Sequence, residues 1–150
     1  MLSPSRLAES KTVSAYATSG GGERTRGVRI HRLLELITHE TTEAHIARLA
    51  AITAPEWEEG ERTTIARDLA SLVTREAWIW QNPSLAEVNI AGTITMNGIP
   101  TPIGGQIDRL VELPDALVVI DYKTGTHVPA TQHNVPETYL LQINAYQALL

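Results

Sequence analysis

A chain of 150 residues is the size of one domain and can bury roughly two-thirds of the surface its unfolded form exposes. With 43% hydrophobic and 19% charged residues it has the make-up of an ordinary globular protein, and the absence of cysteine excludes disulfides and thiolate metal sites, which fits a reducing compartment. The net charge of −5 excludes a broadly basic nucleic-acid binder, no apolar run approaches the roughly 20 residues that span a bilayer, and no basic-then-apolar signal opens the chain, so a cytoplasmic protein without a membrane partner is expected.

Residues 1–26 read as an N-terminal segment and flexible linker. Ser3-Pro4-Ser5 suits the cap of a short helix through Leu7, and Gly20-Gly21-Gly22 is a linker signal. The remaining 27–150 read as one domain. From Gly27, the residues Val28, Leu33, Leu34, Leu36 and Ile37 recur at helical spacing, predicting an amphipathic helix over 27–38. Arg24, Arg26, Arg29 and Arg32 lie within nine residues of one another beside His31. They form either a local patch that meets phosphates or a solvated helix start, and composition alone does not choose. A second helix is expected over 41–52 and a third over 55–80, with Trp57, Ile65, Leu69, Leu72, Val73, Trp78 and Trp80 as packing residues and Asn82-Pro83 as its end.

The second half reads as strands. Ala86–Met96 is extended, Asn97-Gly98 is a hairpin turn, Ile103–Leu113 and Leu117–Thr124 are further strands, and Leu113-Pro114-Asp115-Ala116 joins them. A loop follows over Gly125–Val135, and Pro136 suits the first turn of a closing helix over Glu137–Leu150. The chain stops inside that helix without a cap, so a domain incomplete at its C-terminus is expected. Neither a Walker-type phosphate loop nor GxGxxG is present, so neither ATP nor a dinucleotide is an expected ligand.

The segment from Gly104 to Gly125 carries the chemistry. With a turn centred between Pro114 and Asp115, paired positions sum to 229, and Asp108 stands directly across from Asp121. Opposed residues share a face, with Cβ atoms about 4.5–5.5 Å apart. Lys123 points the same way, and Glu87 on the preceding strand joins them in a three-strand meander. A three-residue loop would instead send the two acids to opposite faces. Asp121 follows the apolar run Val118-Val119-Ile120, so paired acids there face both desolvation and mutual repulsion. Either one carboxyl stays protonated or a divalent cation neutralises both through oxygen ligands. A lysine one step away then stabilises negative charge developing on a phosphate under attack.

These residues carry a resemblance. Gly105-Gln106-Ile107-Asp108-Arg109-Leu110 followed by Val119-Ile120-Asp121-Tyr122-Lys123-Thr124-Gly125 resembles the RecB-type branch of the PD-(D/E)XK nuclease superfamily, and within it the C-terminal nuclease domains of AddA-type helicase–nuclease subunits. Ser3-Pro4-Ser5-Arg6-Leu7 resembles the opening of such domains, the run from Arg26 to Glu35 their histidine helix, Glu87 their upstream acid, and Gln142-Ile143-Asn144-Ala145-Tyr146 their Q-x-x-x-Y motif.

The resemblance implies an α/β fold with a restriction-endonuclease-like core, a mixed central sheet flanked by helices, and metal-dependent DNA cleavage in double-strand-break repair and recombination. Asp108, Asp121, His31 and the backbone carbonyl of Tyr122 would be metal ligands, Lys123 the catalytic lysine, and Glu87 a further acid of the site. Gln142 and Tyr146, one helical turn apart, would support the site or contact DNA, as would Arg26, Arg29 and Arg32. Mg²⁺ is the implied ion, and a histidine ligand makes Mn²⁺ an expected substitute. DNA and an AddB-like subunit are the implied partners. Helicase motifs and the family's closing strand are absent from this chain, so it would not itself hydrolyse ATP. Two alternatives stand beside this reading: an inactive DNA-binding or docking module of the same fold, and a free-standing RecB-type exonuclease or restriction-type enzyme.

Overall fold

The computed structural model describes residues 21–124 and 131–150. In chain order these form α1 (Gly21–Leu36), α2 (Glu43–Thr53), α3 (Glu59–Arg75), the short α4 (Trp78–Gln81), β1 (Ser84–Met96), β2 (Ile99–Leu113), β3 (Ala116–Ile120), a 3-10 turn at Gln132–Asn134 and α5 (Glu137–Gln147). Contacts group them into two compact units. One comprises Gly21–Leu85 and Val111–Val118; the described part of the other comprises 86–110, 119–124 and 131–150.

In the first unit α1 packs on α2, and α2 on α3. The buried stripe of α1 is Ile30, Leu33 and Leu34, and Ile37, the first residue past the helix, continues it at i+7. Val28 and Leu36, expected in that stripe, fall off it and are exposed. The helix also begins at Gly21, so residues 21–26 belong to it and not to a linker. Two glycines disfavour helix locally, but Glu23 suits the first turn, and Arg26 Nε reaches Glu61 Oε1 on α3 at 3.3 Å. Thr42 caps α2 by accepting from His45 N at 3.3 Å. The helix expected over 55–80 is broken. The buried stripe Ile65, Leu69, Val73 would next reach Ala77, a small side chain. The chain closes α3 with Glu76 N–H on Leu72 O at 2.8 Å and restarts as α4, burying Ile79 and Trp80. Trp57 is buried as well, whereas Trp78 is 38% exposed.

The three strands form one sheet in the order β1-β2-β3. Asn97 and Gly98 both have positive φ, 52° and 79°, the backbone of a two-residue hairpin turn. Pro114-Asp115 is likewise a two-residue turn, which excludes the three-residue alternative. Two-residue turns join only antiparallel neighbours, so over the described residues the expected mixed sheet is antiparallel throughout; the α/β class itself holds. Glu112 N–H donates to Pro83 O at 2.9 Å, a pairing in the same register as Met96 with Ile99. β3 ends at Ile120 rather than Thr124, because the next N–H in ladder sequence, that of Tyr122, donates to a side chain.

On the second unit's portion of the sheet, the residues just past α5 come close to β1. A Cβ at Gly92 would stand 2.7 Å from Leu149 Cδ2. The helix stops at Gln147, where Ala148 N–H bonds Asn144 O at 3.0 Å. The expected Ser3-Pro4-Ser5 helix cap and most of the 125–135 loop lie outside the described residues.

Two glycines separate backbone strain from crowding, since neither Gly98 nor Gly60 has an atom within 4 Å of a built Cβ. Gly98→Ala should cost about 1–2 kcal/mol because its φ is left-handed. Gly60→Ala, in the first turn of α3, should gain about 0.4–1 kcal/mol. Urea unfolding midpoints of the two variants, moving in opposite directions, check this.

Candidate functional site

The register of the β2–β3 turn sets Asp108 across from Asp121, one step past the end of β3. Three neighbours engage the two carboxylates. Asp108 Oδ2 accepts the backbone N–H of Tyr122 at 2.6 Å. Asp121 Oδ2 forms an ion pair with Lys123 Nζ, and Asp121 Oδ1 accepts from Gln142 Nε2 at 3.0 Å. The Asp121 side chain is only 8% exposed, that of Lys123 38%.

Gln142 lies between the charges. Its Oε1 accepts from Lys123 Nζ at 3.1 Å while its Nε2 donates to Asp121 and, at 3.1 Å, to Tyr146 Oη. An amide carries an acceptor oxygen and a donor nitrogen side by side without a net charge, so it can bridge an ammonium and a carboxylate at once. Tyr146 Oη donates to the backbone O of Gln106 at 2.7 Å, tying α5 to β2. Gln142 and Tyr146 are both buried, one helical turn apart, as Q-x-x-x-Y spacing requires. Burial, ahead of the nearby acids Asp121 and Asp108, raises the Tyr146 hydroxyl above its ordinary pKa. Burial likewise raises Tyr122, against the lowering effect of Arg109.

The structure therefore brings together Asp108, Asp121, Tyr122, Lys123, Gln142 and Tyr146. Glu87 is level with Asp108 in the β1–β2 register, but its φ of 54° breaks the strand's alternation, and residues 86–88 are all half-buried. Among the described residues no three His, Asp or Glu side chains gather as a metal-binding group. His31 is half-buried on α1, in the helical unit. Arg26, Arg29 and Arg32, on the same helix, face carboxylates: Arg26 pairs with Glu61, Arg29 Nε with Glu56 Oε1 at 2.9 Å, and Arg32 with Glu35. Glu56 is held below the ordinary carboxylate pKa, first by a backbone hydrogen bond and then by Arg29. Such exposed pairs are worth at most about 1 kcal/mol.

Two participants went unmarked in the sequence. Tyr139 places its ring centroid 4.5 Å from Lys123 Nζ, a cation–π distance. It precedes Gln142 by three residues, so the helical face read from Gln142 to Tyr146 extends back to it. Arg109, a neighbour of Asp108, is 5% exposed and donates from Nε to Tyr122 Oη at 3.1 Å. No sequence rule marks an arginine for burial.

The family model of the PD-(D/E)XK nuclease superfamily matches residues 6–150. A comparison with curated proteins gives no match. Among solved structures, the crystal structure of SSO0001 aligns over 89% of this chain and 68% of that one, at 16% identity and a TM-score of 0.35.

Tyr146→Phe strips a partner from both Gln142 and the Gln106 carbonyl, and should lower stability by about 1–3 kcal/mol in urea unfolding. The raised Tyr146 pKa also sets a pH dependence. The folded chain keeps this proton more tightly, so its contribution is complete below the ordinary value of 10.0 and is lost as pH rises toward the folded pKa. The fall in stability above pH 10 should be shallower in Tyr146→Phe than in the parent chain.

Proposed function

The chain belongs to the PD-(D/E)XK nuclease superfamily, and from that membership we propose that it hydrolyses DNA phosphodiester bonds with a divalent cation held by Asp108 and Asp121. The observation that carries this reading is the adjacency of Asp121 and Lys123, bridged by Gln142, beside the second acid Asp108. The donor set fits a hard cation. Two carboxylates supply oxygen ligands, the Asp121 side chain is almost fully buried, and one lysine leaves the trio one negative charge in excess. Mg²⁺ is the expected ion, with Mn²⁺ as substitute; the Tyr122 carbonyl, Glu87 and His31 are further proposed contributors to holding it. When bound, such an ion supplies Lewis-acid stabilisation of charge and a more acidic water.

The residues of the chain supply the rest. Asp108 and Asp121 hold the cation. Lys123, with its ammonium fixed by Gln142 Oε1 and the Tyr139 ring, faces charge that develops on the phosphate. Gln142 keeps the lysine and Asp121 at a set separation. Tyr146 anchors Gln142 to β2. The arginines of α1 would meet backbone phosphates by exchanging their glutamate partners. The finer assignment is an exonuclease domain of an AddA-like helicase–nuclease working beside an AddB-like subunit in break repair. It rests on the resemblance at residues 3–7, 26–35 and 142–146.

Incubating the purified chain with end-labelled single-stranded DNA should give cleavage that requires Mg²⁺ or Mn²⁺ and stops with chelator. Asp121→Asn and Lys123→Ala should each lower the rate about 100- to 1,000-fold. Cleavage that persists in either variant, or Mn²⁺ binding that ignores loss of Asp121, refutes the proposal and favours a docking module.

A further inference from the structure

We infer that Arg109 is a positioning residue which, through the hydroxyl of Tyr122, holds Asp121 and Lys123 in place from behind the sheet; the inference rests on the nuclease reading above.

An arginine 5% exposed is unusual, since burying a charge is costly unless its partners are well placed. Its surroundings along β2 make the cost plain. Side chains alternate along a strand, so Arg109 shares a face with Ile107 and Val111, both fully buried, and leaves the face of Asp108. From that apolar row its Nε donates to Tyr122 Oη at 3.1 Å. The main chain of the same tyrosine is gripped by the adjacent residue, its N–H donating to Asp108 Oδ2 at 2.6 Å. Residues 108 and 109, one facing each side of β2, therefore grip Tyr122 by its backbone and by the tip of its ring.

That double grip matters because of where Tyr122 stands. β3 ends at Ile120, so residues 121–123 lie past its regular pairing. With the tyrosine fixed at both ends, its two neighbours are aimed together: Asp121 and Lys123 project to the opposite face, where they meet each other and Gln142. A carboxylate that must hold an ion depends on such orienting partners, and losing one commonly costs about 10- to 100-fold in metal affinity or activity.

Tyr122→Phe is the cleanest test, because it removes only the hydroxyl that Arg109 reaches. Mn²⁺ affinity, read by electron paramagnetic resonance titration without DNA, should fall about tenfold while circular dichroism shows a folded chain. The cleavage rate constant should fall with little change in KM. Arg109→Met should do the same, and the double variant should be no worse than Arg109→Met alone, because one residue acts through the other. The inference fails alone if the parent chain binds Mn²⁺ and cleaves, Asp121→Asn abolishes both, and Tyr122→Phe matches the parent. It also fails if the two single losses multiply. If Asp121→Asn leaves Mn²⁺ binding intact, the nuclease reading falls and takes this inference with it.

Discussion

The hydrogen bond from the Tyr122 amide to the Asp108 carboxylate governs how this site is built. It ties a backbone donor to a charged acceptor, a class of bond worth about 1.5–3 kcal/mol and stronger than an ordinary ladder bond. Its effect on shape matters as much as its strength. A donor spent on a side chain is not spent on the neighbouring strand, so β3 stops at Ile120 and the following residues leave regular pairing. Asp121 and Lys123 thereby come off the sheet within reach of α5 while still anchored at Tyr122.

Charge balance explains the rest of the constellation. Two acids on facing strand positions repel, and one lysine offsets only one of them. Gln142 matches this imbalance better than a charged residue would. A glutamate there would add a third negative charge, and a lysine would supply no acceptor for Lys123. The amide instead polarises both ways, with its oxygen on the ammonium and its nitrogen on Asp121. Such a bridge works only if its own position is fixed. Tyr146, 1% exposed and bonded to the Gln106 carbonyl, fixes it. The helix thus adds precision to the site and leaves its net charge unchanged.

What was legible in the sequence follows from how local each signal is. Asn97-Gly98 announces a two-residue turn because those residues carry the turn conformation themselves, whereas Leu113-Pro114-Asp115-Ala116 marks a turn without fixing its length, so the opposition of Asp108 to Asp121 was one of two registers until the structure showed a two-residue loop. The Q-x-x-x-Y spacing likewise needs only a helix. Other features depend on partners remote in sequence. Glycines 21 and 22 look like a linker until Arg26 is seen to reach Glu61. The break after Arg75 depends on which side chains the interior accepts. Burial of Arg109 depends on Tyr122, thirteen residues away, and the left-handed backbone at Glu87 leaves no trace in composition. The arginine group on α1 was legible as a patch, but its pairing with glutamates was not.

Those pairings bear on how an acidic protein would hold an anionic polymer. With a net charge of −5, and with three α1 arginines each facing a carboxylate, the chain as a whole does not attract phosphate at long range. The candidate site does not help, since its acids outnumber its lysine. On the reading proposed above, a divalent cation reverses the sign locally: added to a trio carrying one excess negative charge, it leaves one positive charge. A phosphate is then drawn to the site only after the ion is in place. Metal binding and substrate binding become linked by electrostatics, and each should strengthen the other by the same factor. Placement of the two acids behind the Tyr122 grip therefore bears on recognition as much as on the chemical step.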